Sequence, residues 1–168
     1  MRGPSGVAVG TIRRVILSGI SCTQAQGSPK IACILAGIPE HAIEDVKITD
    51  LIVVNRGGGA NSDAELEVPE REKQYPEPNM FGTTPAHGFF FRHVRRLEMH
   101  SVKIECSKED ERPAFVLEDV EGAEFGRIKV PVKEGIPTFR LSNVRDFAVY
   151  RSRPVRDVEV TVAETKDI

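Results

Sequence analysis

The sequence has no tryptophan, only two tyrosines, and three cysteines among 168 residues. Cys22, Cys33 and Cys106 are too few and too scattered for a disulfide scaffold or a zinc cage, so no metal and no cofactor is expected. No stretch approaches the roughly 18–20 apolar residues of a membrane-crossing helix, so no membrane partner is expected. Charge of one sign is also lacking. With 23 basic and 25 acidic residues the net is −2, which argues against a dedicated nucleic-acid binder and its basic face. No charged start followed by an apolar stretch marks a secretory signal near Met1. Leucine is scarce, with 7 residues against 32 Val and Ile.

That last imbalance sets the fold class. Beta-branched side chains pack well on pleated surfaces and lose rotamer freedom in helices. With 14 Gly and 11 Pro as punctuation, the chain reads as all-β. A pattern recurs along it: an apolar residue followed by others at offsets +3, +5, +8 and often +10. It runs Ile12, Val15, Leu17, Ile20; then Ile43, Val46, Ile48, Leu51, Val53; then Val94, Leu97, Met99, Val102, Ile104; then Val120, Ala123, Phe125, Ile128, Val130. A last copy starts with Val144, Phe147, Val149 and then loses its register. Successive copies begin 31, 51, 26 and 24 residues apart, a solenoid-sized unit with one oversized insertion.

Steps of two alternate as a strand requires, whereas the steps of three mark bends. A short strand precedes three copies, at Phe89–Phe91, Phe115–Leu117 and Phe139–Leu141, each ending three residues before its copy. Stacked in parallel, such units make a right-handed parallel β-helix of about five coils, with aliphatic ladders inside and charges outside. Residues 1–168 then form one domain. Within it 56–85 is a long loop insertion, and 151–168 is a closing strand (Val155, Val158, Val160, Val162) and tail. The loop holds four Gly, four Pro, six acids and three bases; a loop of this length is expected to be functional.

Several segments carry a family resemblance: Gly10–Val15, Gly37–Val46, Gly57-Gly58-Gly59, Val68-Pro69-Glu70, Tyr75-Pro76-Glu77, Met80-Phe81-Gly82 and Arg92-His93-Val94. With a parallel β-helix, they resemble the C-terminal portion of bacterial pectinase-like proteins related to the family-28 glycoside hydrolases (polygalacturonases and rhamnogalacturonases). The resemblance covers most of this chain but less than half of a typical member. It implies an inverting hydrolase of pectin-type polysaccharide, exported from the cytoplasm, of which this chain would be the downstream part. The family's Asn-Thr-Asp and Asp-Asp motifs are absent, and His87 lies in Ala-His-Gly rather than Gly-His-Gly. Arg127-Ile128-Lys129 matches the family's Arg-Ile-Lys. The chain alone is therefore expected to bind rather than to turn over, and its catalytic residues are unknown. The alternative is a non-catalytic module for assembly, adhesion or carbohydrate binding.

An inverting glycosidase needs two carboxyl groups about 6.5–9.5 Å apart. Stacked coils could set Asp45 by Asp119, or Glu44 by Glu118, although acids at solvated corners need no such role. Arg127 and Lys129 flank the inward Ile128 and should point outward together, suiting an anionic sugar carboxylate; charged residues also fill outward positions on every rung. His87 sits where the insertion rejoins the scaffold. In the loop, Tyr75 and Phe81 offer flat faces for sugars and Glu70 and Glu77 can accept hydroxyl hydrogen bonds, or the aromatic residues serve only to clamp the loop. The coil near Gly10 has no visible cap, so self-association or docking to further β-helix is expected there.

Overall fold

The computed structural model describes residue 6 and residues 8–23, 30–74, 77 and 79–168. The described chain is all-β, with a single short 3-10 turn at Asn61–Glu65. Its strands are β1 (Arg13–Thr23), β2 (Cys33–Ala36), β3 (Ile43–Asn55), β4 (Phe89–Cys106), β5 (Phe115–Gly126), β6 (Phe139–Tyr150) and β7 (Val158–Asp167). They form one seven-stranded sheet in the order β1-β3-β4-β5-β6-β7, with β2 paired to β4. Every pairing is parallel except that of β7, which runs antiparallel to β6.

The register follows the sequence repeat. Ile43 pairs with Val94, Val94 with Val120, and Val120 with Val144. The +3 and +5 positions stack likewise, as Leu97 on Ala123 on Phe147 and Met99 on Phe125 on Val149. Each three-residue step holds a residue in the left-handed backbone region. At +2 these are Arg14, Asp45, Arg96, Gly122 and Asp146; at +7 they are Gly19, Asp50, Ser101, Arg127 and Arg151; at −1 they are His93, Asp119 and Asn143. A left-handed residue turns the strand and resets which face its side chains address, at a cost of about 1–2 kcal/mol for most residues. From β3 to β6, residues on both sides of the bends nonetheless pack into one core, which includes Val46, Leu51, Phe91, Val94, Val102 and Phe125. In the first copy only Val15 packs against it, whereas Ile12, Leu17 and Ile20 are exposed, because no further coil lies over them among the described residues. Phe89, Phe115 and Phe139 stack through it at 5.9 and 4.7 Å, nearly parallel.

Three details differ from the sequence reading. A fourth preceding strand exists: Cys33–Ala36 pairs with Phe89–Arg92. It is hidden in the sequence because eight residues, not three, separate Leu35 from Ile43, the extra ones forming a small Ile38–His41 bridge. The last copy keeps its backbone register, with Lys129 bridged to Arg153 and the Ser152 Oγ accepting from the Ile128 N–H at 3.0 Å. In β7 the inward residues are Val160 and Ala163, while Val162 is exposed, because β7 turns the same corner as Val144–Phe147 opposite it.

Candidate functional site

The 56–85 insertion lies over the outer face of the short strands that precede the copies. There Val68 and Ala86 cover Phe90 and Val116 in a second apolar cluster, with Phe81 packed against it. Three arginines from the scaffold pin this cover through its carbonyl groups. Arg112 donates to the Lys30 and Thr84 carbonyls at 2.8 and 3.0 Å, Arg140 to that of Ala64 at 2.8 Å, and Arg92 to those of Val68 and Pro69 at 2.6 and 3.1 Å. Arg112 is itself held by both oxygens of buried Asp110. Burial alone would raise the Asp110 carboxyl, but the Arg112 guanidinium and the Gly59 N–H hold it below its ordinary value. Arg92 is almost wholly buried between the rings of Phe81 and Phe90, at 5.7 and 5.4 Å.

At the edge of this cover, His93 bridges two carboxylates. Its Nδ1 lies 2.6 Å from Asp119 and its Nε2 lies 3.2 Å from Glu70. Asn143 donates to the other Asp119 oxygen at 3.0 Å. Glu118 stands 3.8 Å from Arg92, and burial lifts its carboxyl above the ordinary range. Acid, base and cation are thus gathered at one corner, where Glu70 and Arg92 tether the loop to the scaffold and Asp119 and Glu118 join neighbouring strands. Glu44 and Asp45 stand elsewhere, at the +1 and +2 positions, where both meet Arg96. The corner positions of Asp45 and Asp119 differ, so the pairs considered from sequence do not form.

His87 is 6% exposed and 3.5 Å from the Cys106 sulfur, at the floor of a cavity of about 240 Å³. Burial pushes its imidazole down to about 4 and the Cys106 thiol up to about 11. The pair is therefore a neutral ring beside a neutral thiol, not an activated nucleophile.

On another outward face, Lys103, Lys129 and Arg153 are bridged in sequence as one ladder. Arg127 and Arg151 occupy the left-handed corner beside it, one rung apart. Arg127, Lys129, Arg151 and Arg153 are exposed, and among the described residues no carboxylate pairs with their side chains. Lys103 alone has a partner, Glu105. A shallow groove of about 540 Å³ is lined by Lys103, Glu105, Ser107, Lys129 and Val130. Next to Arg151, Tyr150 donates to Glu124 at 2.8 Å and tilts against His100, 5.9 Å between ring centres. Both rings close over Gly126, where a Cβ would come within 2.5 Å of the His100 Nδ1.

The residues singled out from sequence thus separate. Arg127 and Lys129 share the basic face. Glu70 and Phe81 lie on the loop-covered face, holding Arg92 and His93. Glu77 is exposed, and its carbonyl accepts from the Met80 N–H. His87 is buried beneath a corner, and Tyr75 lies outside the described residues. Sequence reasoning took Lys103 only as one of the outward charges that fill every rung, and passed over Tyr150, Arg151 and Arg153; the +7 and +9 offsets applied to the last copy point to the two arginines. No protein-family model, curated protein or solved structure matches this chain.

Proposed function

We infer that the chain is a right-handed parallel β-helix that binds an acidic, pectin-type polysaccharide along its basic ladder. The winding is supported by in-register parallel pairing across bends that feed one core; the hand follows from the strong preference of parallel crossovers. The observation that carries the binding reading is the run of Arg127, Lys129, Arg151 and Arg153, four exposed cations without carboxylate partners among the described residues. Rungs about 4.8 Å apart offer a row of donors to a polymer bearing repeated carboxylates. Arginine forks onto such groups in a bidentate manner, and Tyr150 supplies an apolar ring face beside them. The resemblance to polygalacturonase-type hydrolases points to the same ligand class. Hydrolysis itself would require a pair of free carboxyl groups across the sugar, and the acids gathered at His93 are engaged by His93, Asn143 and Arg92.

Equilibrium titration with oligogalacturonate at low salt tests this reading. Binding that weakens about tenfold or more in Arg127→Ala/Lys129→Ala, and that falls steeply with added salt, is the expected result. Wild-type protein that binds no oligogalacturonate overturns it.

A further inference from the structure

We propose that two copies of this chain pair through β1, antiparallel and about a two-fold axis passing beside Ile16. Among the described residues β1 is an edge strand of the sheet, and it is apolar on both faces: Ile12 at its entry, Leu17 and Ile20 continue the inward ladder yet are 56, 41 and 39% exposed, and Ile16, over the outward Lys47, is 73% exposed. An edge strand with free backbone groups and apolar side chains is a template for another strand.

The spacing of β1 and its entry selects the partner. The apolar positions 12, 15, 17 and 20 are separated by three, two and three residues, an order that reads the same in both directions. Laid antiparallel on its own copy with Ile16 against Ile16, the strand sets Ile12 opposite Ile20 and Val15 opposite Leu17. The three-residue corner steps then coincide in both copies, as an isologous interface demands. The opposite edge already uses this arrangement. There β7 runs antiparallel on β6, with Val144 against Ala163, Phe147 against Val160 and Val149 against Val158, steps of three and two matched in reverse. At the other end of the sheet β7 is also an edge strand, but its exposed residues are mostly polar (Glu159, Thr161, Glu164, Thr165, Lys166 and Asp167), so head-to-tail stacking would set the apolar β1 against a polar strand, whereas β1 on β1 sets apolar against apolar. Charge allows the pairing too. The charged residues of β1 are Arg13 and Arg14, and the two-fold sets them opposite Gly19 and Ser18, so like charges never face each other.

Sedimentation equilibrium of the full chain over a concentration series tests the proposal, with far-UV circular dichroism reporting the fold. The wild type is expected at twice the chain mass. Ile16→Lys places two cations across the axis at a site already open to solvent, and is expected at the single-chain mass with an unchanged spectrum. Ile16→Glu alone behaves likewise, while an equimolar mixture of Ile16→Lys and Ile16→Glu returns to twice the mass. Val132→Lys, equally exposed but remote from β1, stays dimeric. A wild type at single-chain mass at every concentration, an open-ended series of larger species, or an Ile16→Lys protein that remains dimeric overturns the proposal. If Ile16→Lys loses its β spectrum, Ile16→Glu alone and the wild-type mass decide.

Discussion

His93 and Asp119 are joined by a 2.6 Å contact at equivalent corners of neighbouring strands, and both have left-handed backbone. A turn that costs conformational energy is thereby tied to a side-chain contact that crosses the stack. The same corner holds Glu70 of the insertion, so scaffold and loop are fastened at one point. The same device recurs at the +2 corner, where Asp45 and Arg96, both left-handed, are paired across the stack.

Arg92 is the buried half of that fastening. Removing it leaves the Val68 and Pro69 carbonyls without their donor and Glu118 without its nearby cation. Arg92→Met, which keeps the apolar stem between Phe81 and Phe90, is expected to cost about 3 kcal/mol, in the range for breaking a buried charged network. Urea unfolding measures the loss. Limited proteolysis should at the same time cut earlier within 56–85 than within β4 or β5.

The bends predict an unusual gain. Asp146 is exposed with φ 52°, a conformation glycine adopts without strain. Asp146→Gly should therefore raise stability by up to about 1 kcal/mol, whereas Asp→Gly substitutions in ordinary strand backbone lower it. A denaturation midpoint below wild type would show that the corner backbone is not left-handed in solution.

Stability should fall with acid through His87. Its folded value is about 4 against an ordinary 6.5, so between these values the unfolded chain binds a proton that the folded chain does not. The stability is complete above about 6.5 and is lost as pH falls through 4, by roughly 3 kcal/mol at most. Urea midpoints at pH 7 and pH 4.5 measure the drop, and His87→Leu should flatten it. An equal slope in the variant assigns the acid sensitivity to other groups.

Core truncation provides a reference. Phe125 is fully buried against Phe91, Phe115, Phe139 and Phe147, and Phe125→Ala should cost about 3–5 kcal/mol. A loss below about 1 kcal/mol would mean that these rings do not meet.

The repeat was legible because its signal is physical: inward positions must be apolar, and each bend shifts the alternation by one residue. Ile43, Val94, Val120 and Val144 could be aligned on that basis alone, and the structure pairs them so. Cys33–Ala36 escaped because its corner is longer, and the offset of three fails there. The cover over Phe90 and Val116 also escaped, although Phe89-Phe90-Phe91 carries a hint: a strand apolar at every position is buried on both faces. The anchoring roles of Arg92, Arg112 and Arg140 could not be read, since they depend on carbonyl groups brought in by a loop without periodicity. Lys129 and Arg127 were visible as outward charges. Their continuation through Arg151 and Arg153 was hidden by Ser152, which stands where the pattern expects an apolar residue and caps a backbone N–H instead.

Backbone chemical-shift mapping of the isotope-labelled chain with oligogalacturonate reads out whether acidic sugar lies along the ladder. Shifts concentrated at Lys103, Arg127, Lys129, Tyr150, Arg151 and Arg153 are the expected result. Shifts confined to Glu70, Phe81 and the surrounding loop, or no shifts at all, would contradict it.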